Sequence, residues 1–144
     1  MLPRWHIILG ALFSLLLWSV IPELKWQAIL MVFSASVLID IDHYLCAVRK
    51  SKKWRLRDAF EYHVKEGEKH MKEHERGIRR KGDFHLFHTL EFIALTGLLG
   101  LIWSSFLYIF IGMIFHSILD MIYLIHKDFF YRREYFFSNW VKNS

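Results

Sequence analysis

The feature that most limits what this chain can fold into is where its charges are missing. Between Glu91 and Asp120 lie 28 residues without an Asp, Glu, Lys or Arg. Between Arg4 and Glu23 lie 18, and between Lys25 and Asp40 lie 14, the apolar character then continuing through Ile41, Tyr44, Leu45 and Val48. A helix crosses the hydrocarbon core of a bilayer with about 20 residues, within a range of about 17–25. The longest run exceeds one span, so the pattern predicts an all-α integral membrane bundle of four transmembrane helices, at 5–22, 25–48, 84–103 and 106–126. Pro22 and the polar Glu23-Leu24-Lys25 mark the first hairpin. A turn at Ser104-Ser105 is expected for the last one, with Gly97 and Gly100 as the rival break.

A charged share of 23% looks ordinary for a soluble protein until the charges are located. The segment 49–83 holds 13 of the 19 Lys and Arg and 7 of the 14 Asp and Glu. The remainder is strongly apolar, which excludes a soluble globule, a disordered chain and a disulfide scaffold. Cys46 stands alone and can form no intramolecular disulfide. With 144 residues the chain is read as one membrane domain. In the four-span arrangement 18 of 19 Lys and Arg share one side, only Lys25 falling on the other. The positive-inside rule therefore puts both termini and the 49–83 loop in the cytoplasm, in a protein integral to the cell (inner) membrane. The net charge of +5 is assigned to the bilayer surface, and no nucleic-acid partner is expected. In the loop, Trp54, Leu56, Phe60 and Tyr62 suggest one or two cytoplasmic amphipathic helices at the headgroups. The tail 127–144 mixes aromatics with Arg132 and Arg133, as an interfacial anchor does.

Ionisable residues at membrane depth cost about 3 kcal/mol each on insertion scales and are functional by default. Helix one carries His6; helix two Asp40, Asp42 and His43; helix three His85, His88 and Glu91; helix four His116 and Asp120. An orientation derived from Lys and Arg alone puts all of them in the cytoplasmic half. His116 and Asp120 are four apart and Asp40 and His43 three apart, so each pair shares a helix face. Asp42 does not share the face of Asp40, which calls for a distorted helix or for one of the two to point elsewhere. Inward His and carboxylate groups from several helices build metal sites, and such mixed ligation suits zinc, iron or manganese. The plainer alternatives are hydrated charges at a helix end for Asp40, Asp42 and His43, and an interhelical hydrogen-bond pair for His88, His116 and Asp120. In the loop, His70 and His74 sit four apart, and a solvated helix face is favoured over a metal site there; His63 has no assigned role.

These residues resemble the YdjM-like family of membrane-bound, metal-dependent hydrolases, which look like a four-span version of the helical fold of zinc-dependent phospholipase C. RWHIILG, with His6, is similar to the family's opening His. IDIDH, with Asp40, Asp42 and His43, is similar to its P-D-x-D-H, with Ile39 in place of Pro. FHSILD, with His116 and Asp120, is similar to its S-H-x-x-x-D, with Phe115 in place of the small residue. HLFHTLEF departs most: His85 and His88 are three apart where the family's H-R-G-x-T-H-S has a step of five, and His88 matches the second His. The resemblance covers the four spans but neither the 49–83 loop nor the tail.

The expectation is a metal-dependent hydrolase with a divalent cation, zinc ahead of iron or manganese, near the cytoplasmic face. Its ligands come from His6, Asp40, Asp42, His43, His85, His88, His116 and Asp120. Glu91 or Asp42 would act as base or orient a His. The resemblance implies a phosphoester or lipid-derived substrate, with anionic lipid of the bilayer as a partner. Two rivals stay open: a b-type haem protein using His88 and His116, and a non-enzymatic metal-binding or transport protein, for which ligands near the midplane are the usual arrangement.

Overall fold

The computed structural model describes residues 3–143, and among these every regular element is helical. In chain order they are α1 (Pro3–Val20), α2 (Trp26–Leu38), α3 (Ile41–Ser51), α4 (Leu56–Glu75), α5 (Leu90–Gly100), α6 (Ser104–His126) and α7 (Phe137–Asn143). Single 3-10 turns occupy Leu86–His88 and Phe130–Arg132. Two segments are long and apolar enough to cross a membrane: Trp26–Ser51, which joins α2 to α3, and Ser104–His126. The other two apolar helices, Arg4–Val20 and Leu90–Gly100, are shorter.

The bundle is built around α6, which packs on α1, α2 and α5. Small residues set the helix separations. Gly112 of α6 lies against the Val32 carbonyl and Ala35 of α2, and Gly10 of α1 lies against the Ser36 hydroxyl, so a Cβ at either position would collide. Gly97 of α5 packs under the Phe110 ring, 3.0 Å from where a Cβ would stand. Such small-residue contacts let the helix backbones approach closely. The outward faces are apolar: Ile7, Leu12, Leu16, Leu30, Leu98 and Ile122 are all exposed.

Three local departures from the expected spans matter for the site. First, the helix expected over 25–48 breaks at Ile39-Asp40. The Asp40 N–H donates to the Val37 carbonyl (3.4 Å), one residue short of the α-helical pattern. Second, the span expected over 84–103 is helical over only 11 residues. Thr89 ends the approach to it, its hydroxyl accepting from the Phe92 N–H as an N-cap and donating to the Leu86 carbonyl (2.8 Å). Third, α5 ends at Gly100 and α6 begins at Ser104, so the turn is Leu101–Trp103, between the two expected break points.

The 49–83 segment forms one helix, the 20-residue α4. The tail is folded back: the Leu90 N–H donates to the Tyr135 carbonyl (2.9 Å) and the Gly82 N–H to the Arg132 carbonyl (2.7 Å). Phe84 stacks on Trp140 of α7 at 4.3 Å. The tail thus closes over the end of the bundle where the polar residues gather.

Candidate metal centre

Four side chains from three separate stretches of chain converge at that end. His88 is placed by the turn before α5, His116 and Asp120 by one face of α6, and Asp40 by the break after α2. His88 Nε2 lies 3.2 Å from His116 Nε2, 3.5 Å from Asp40 Oδ1 and 3.9 Å from Asp120 Oδ2. His116 Nε2 lies 3.4 Å from Asp40 Oδ1 and 3.5 Å from Asp120 Oδ2. A tetrahedron whose ligands stand about 2.0–2.2 Å from a central zinc has edges of about 3.3–3.6 Å. The spacing therefore matches a first coordination shell, and this His/Asp cluster can hold a metal ion.

The far side of each imidazole supports the same reading. His116 Nδ1 donates to the Ser36 carbonyl (2.8 Å), a carbonyl left open because the Asp40 N–H has moved to Val37. His88 Nδ1 donates to Asp42 Oδ2 (3.1 Å), which also accepts from the Phe87 N–H (3.0 Å). In the neutral rings with both Nδ1 atoms donating, the two Nε2 atoms that face each other are the ones left to ligate a metal. A ligating His held by a carbonyl or carboxylate behind it is the usual outer shell of a metal centre. One break in the chain thus accounts for three features: Asp40 turned inward, Asp42 turned toward His88, and an open carbonyl at Ser36.

The remaining expected residues fall around this centre in distinct ways. His6 is buried, stacked on the His116 ring at 3.9 Å, with Nε2 3.2 Å from Asp120 Oδ1. His43 Nε2 is 3.6 Å from Asp40 Oδ1, and its ring stacks on His85 at 3.6 Å. Asp42, His43 and His88 form a second group with ligand atoms close enough for a metal. His85 Nδ1 and Asp42 Oδ1 are 3.8 Å apart, both buried without a hydrogen-bond partner. Glu91 is not among these groups. Its carboxylate accepts from the Phe137 N–H (2.9 Å) and the Ser138 N–H (3.1 Å), so it caps α7. Glu91, expected as base or orienting group, is placed away from the histidines, because the chain from His85 to Thr89 is a 3-10 turn rather than a continuous α-helix.

Two contributors escaped the reading of the sequence. Arg133 reaches in from the tail, its Nη2 2.6 Å from Asp120 Oδ2. His63 of α4 bonds through Nε2 to the His43 carbonyl (3.1 Å). Both lie in segments whose charge density hides a single inward residue. His70 and His74 do not converge: His70 lies between Glu66 and Glu73, each at 3.5 Å, while His74 meets the Tyr131 hydroxyl (3.1 Å). A cavity of about 470 Å³ leads from α4 to Asp40 and Asp120. Asp40 is the most open of the four ligands, its side chain 22% exposed against 3% or less for the other three.

Comparison with protein-family models, with curated proteins and with solved structures gives no match.

Proposed function

We propose that this chain is a membrane-bound, metal-dependent hydrolase of the YdjM-like kind, with a divalent cation, zinc first, at Asp40, His88, His116 and Asp120. The observation that carries the reading is the close approach of ligand atoms from Asp40, His88, His116 and Asp120, all within 4.8 Å of one another, with both histidines anchored from behind. Water activated as a nucleophile is the chemistry such a cation supplies when bound.

The chain's own residues complete the arrangement. Asp42 and the Ser36 carbonyl hold the two imidazoles in the tautomer that points Nε2 inward. Asp40 lies at the cavity end, where a substrate and its attacking water enter. His43, beside Asp40 and lining the cavity, takes the proton from that water. His6 positions Asp120 from the opposite side. Phosphoester or lipid-derived compounds are the substrate class. The haem alternative is poorly served by this geometry, since His88 and His116 face each other at 3.2 Å with carboxylates flanking them and no room for a macrocycle.

The reading places the protein in the cell membrane with four spans and both termini cytoplasmic. Trp26–Ser51 and Ser104–His126, long and apolar enough to cross, would be two of the spans. The shorter α1 and α5 complete the bundle, and in the 3-10 approach to α5 His88 and Thr89 are buried in protein, where irregular backbone is tolerated at membrane depth. Elemental analysis of detergent-purified protein tests the reading. The parent is expected to hold metal in stoichiometric amount and the D40A/H116A variant none. A metal-free parent sinks it.

A further inference from the structure

The cavity between α4 and the tail has a use that the four ligands do not explain. Two of those ligands, Asp40 and Asp120, reach its wall from within. Arg132, Arg133, His63 and His85 line it as well, together with the carboxylates of Glu66 and Asp83. Asp83 is already neutralised by Lys50 and by the Tyr62 hydroxyl (2.8 Å). A divalent cation on Asp40 and Asp120 cancels those two charges, leaving Arg132 and Arg133 against Glu66 alone. The metal-loaded cavity is therefore cationic, while the metal-free one is not.

Arg133 is built into this wall rather than resting on it. Its side chain is 13% exposed and one guanidinium nitrogen is fixed on Asp120. The backbone around it is tied down too, its own carbonyl accepting from Lys81 Nζ (3.1 Å) and the Arg132 carbonyl from the Gly82 N–H. A guanidinium carries five donors in a rigid fork, so those not aimed at Asp120 remain for a ligand. Beside it, the His85 Nδ1 atom is buried and without a partner. At the cavity's outer side Leu56, Phe60 and Val64 form an exposed apolar stripe along α4.

We propose that this cavity binds the phosphoryl group of an anionic ligand, with Arg133 gripping its oxygens beside the metal. The inference rests on the metal-hydrolase reading, and it makes Arg133 a substrate-binding residue rather than a mere counter-ion of Asp120. Headgroup phosphate of a lipid and free phosphate share this chemistry. The apolar stripe gives an acyl chain a path that inorganic phosphate does not use.

The test takes full-length protein in phosphatidylcholine nanodiscs, zinc-loaded, with bound metal measured before each titration. Inorganic phosphate is titrated into the parent and into the R133Q and R133K variants. R133Q is expected to keep the parent's metal content and to bind phosphate at least tenfold more weakly, with R133K in between because it keeps the charge but loses the fork. An R133Q affinity within twofold of the metal-loaded parent overturns the inference alone. Loss of metal in both R133Q and R133K also overturns it, by making Arg133 a support for Asp120. A parent that takes up no zinc overturns the underlying reading and this inference with it. A parallel titration with dihexanoyl phosphatidic acid separates the sources: a lipid ligand binds it tighter than inorganic phosphate and loses that advantage in F60S/V64S, while a free-phosphate ligand shows no difference.

Discussion

Two polar clusters lie at the same end of this molecule and are put together on opposite principles. Around Asp83, each acceptor has its donor: one carboxylate oxygen takes Lys50 and the other the Tyr62 hydroxyl. Around His116, the two Nε2 atoms face each other at 3.2 Å, and each lies 3.4–3.9 Å from carboxylate oxygens of Asp40 and Asp120. The first arrangement is complete as it stands and serves as a clasp tying the end of α3 to the chain beyond α4. The second gathers ligand-type atoms around one point that a cation or a proton would fill, with Arg133 on Asp120 from one side and His6 from the other. Density of charge does not separate a clasp from a site. What separates them is whether donors and acceptors alternate.

The largest expected effect tests that contrast directly. Replacing a ligand, as in His88→Ala, should drop bound metal below stoichiometry, whereas Asp83→Asn should leave metal content at the parent's level. Equal loss in both variants would make the two clusters one network. Next in size is Asp42→Asn, which keeps the four ligands but exchanges a carboxylate for an amide behind His88. Loss of such an outer partner costs about 10–100-fold in metal affinity, readable by competition with a chelator of known strength. An unchanged affinity would remove Asp42 from the centre.

Much of this centre was legible before any coordinates, because cost makes it so: His and Asp inside apolar runs stand out against lipid. The pairs His116/Asp120 and Asp40/His43 could be read from helical spacing and do meet, at 3.5 and 3.6 Å. The puzzle of Asp42, which no regular helix brings to the side of Asp40, resolves in the break at Ile39-Asp40. Spacing cannot reveal which carbonyl a displaced N–H will choose, so the open carbonyl at Ser36 was out of reach. Glu91 follows a turn rather than a continuous helix from His85, and its carboxylate meets the start of α7, a contact no spacing in the sequence announces. Arg133 and His63 were hidden for the opposite reason: in segments crowded with charge, one inward residue has no contrast. The turn at Leu101–Trp103 shows a further limit, for Gly97 and Gly100 read as breaks, while they also serve close packing against Phe110 and Leu107.

A smaller effect is expected at the α7 cap. Glu91→Gln removes the charge that accepts from two N–H groups and so weakens the cap of α7. It should appear as faster proteolysis of the tail after Phe136, with metal content unchanged. Early loss of metal in the same variant would mean that the tail, through Arg133, holds the centre more firmly than the clasp does.

The smallest effect belongs to His70, and its sign follows from its surroundings. Burial, with the Arg132 guanidinium nearby, holds its pKa below the ordinary 6.5, the Glu66 and Glu73 carboxylates offsetting this only in part. The unfolded chain therefore takes up a proton before the folded one does. Above about pH 6.5 neither state is protonated there and His70 contributes nothing to pH dependence. As pH falls below that value, the unfolded state gains the proton first and the fold loses stability, down to the lowered pKa of the folded form. A melting temperature that declines from pH 7 to 5 in the parent, and declines less in His70→Gln, is the expected result. An identical slope in the two proteins would assign the acid sensitivity to the histidines of the centre, and so hand to the metal cluster a property here ascribed to α4.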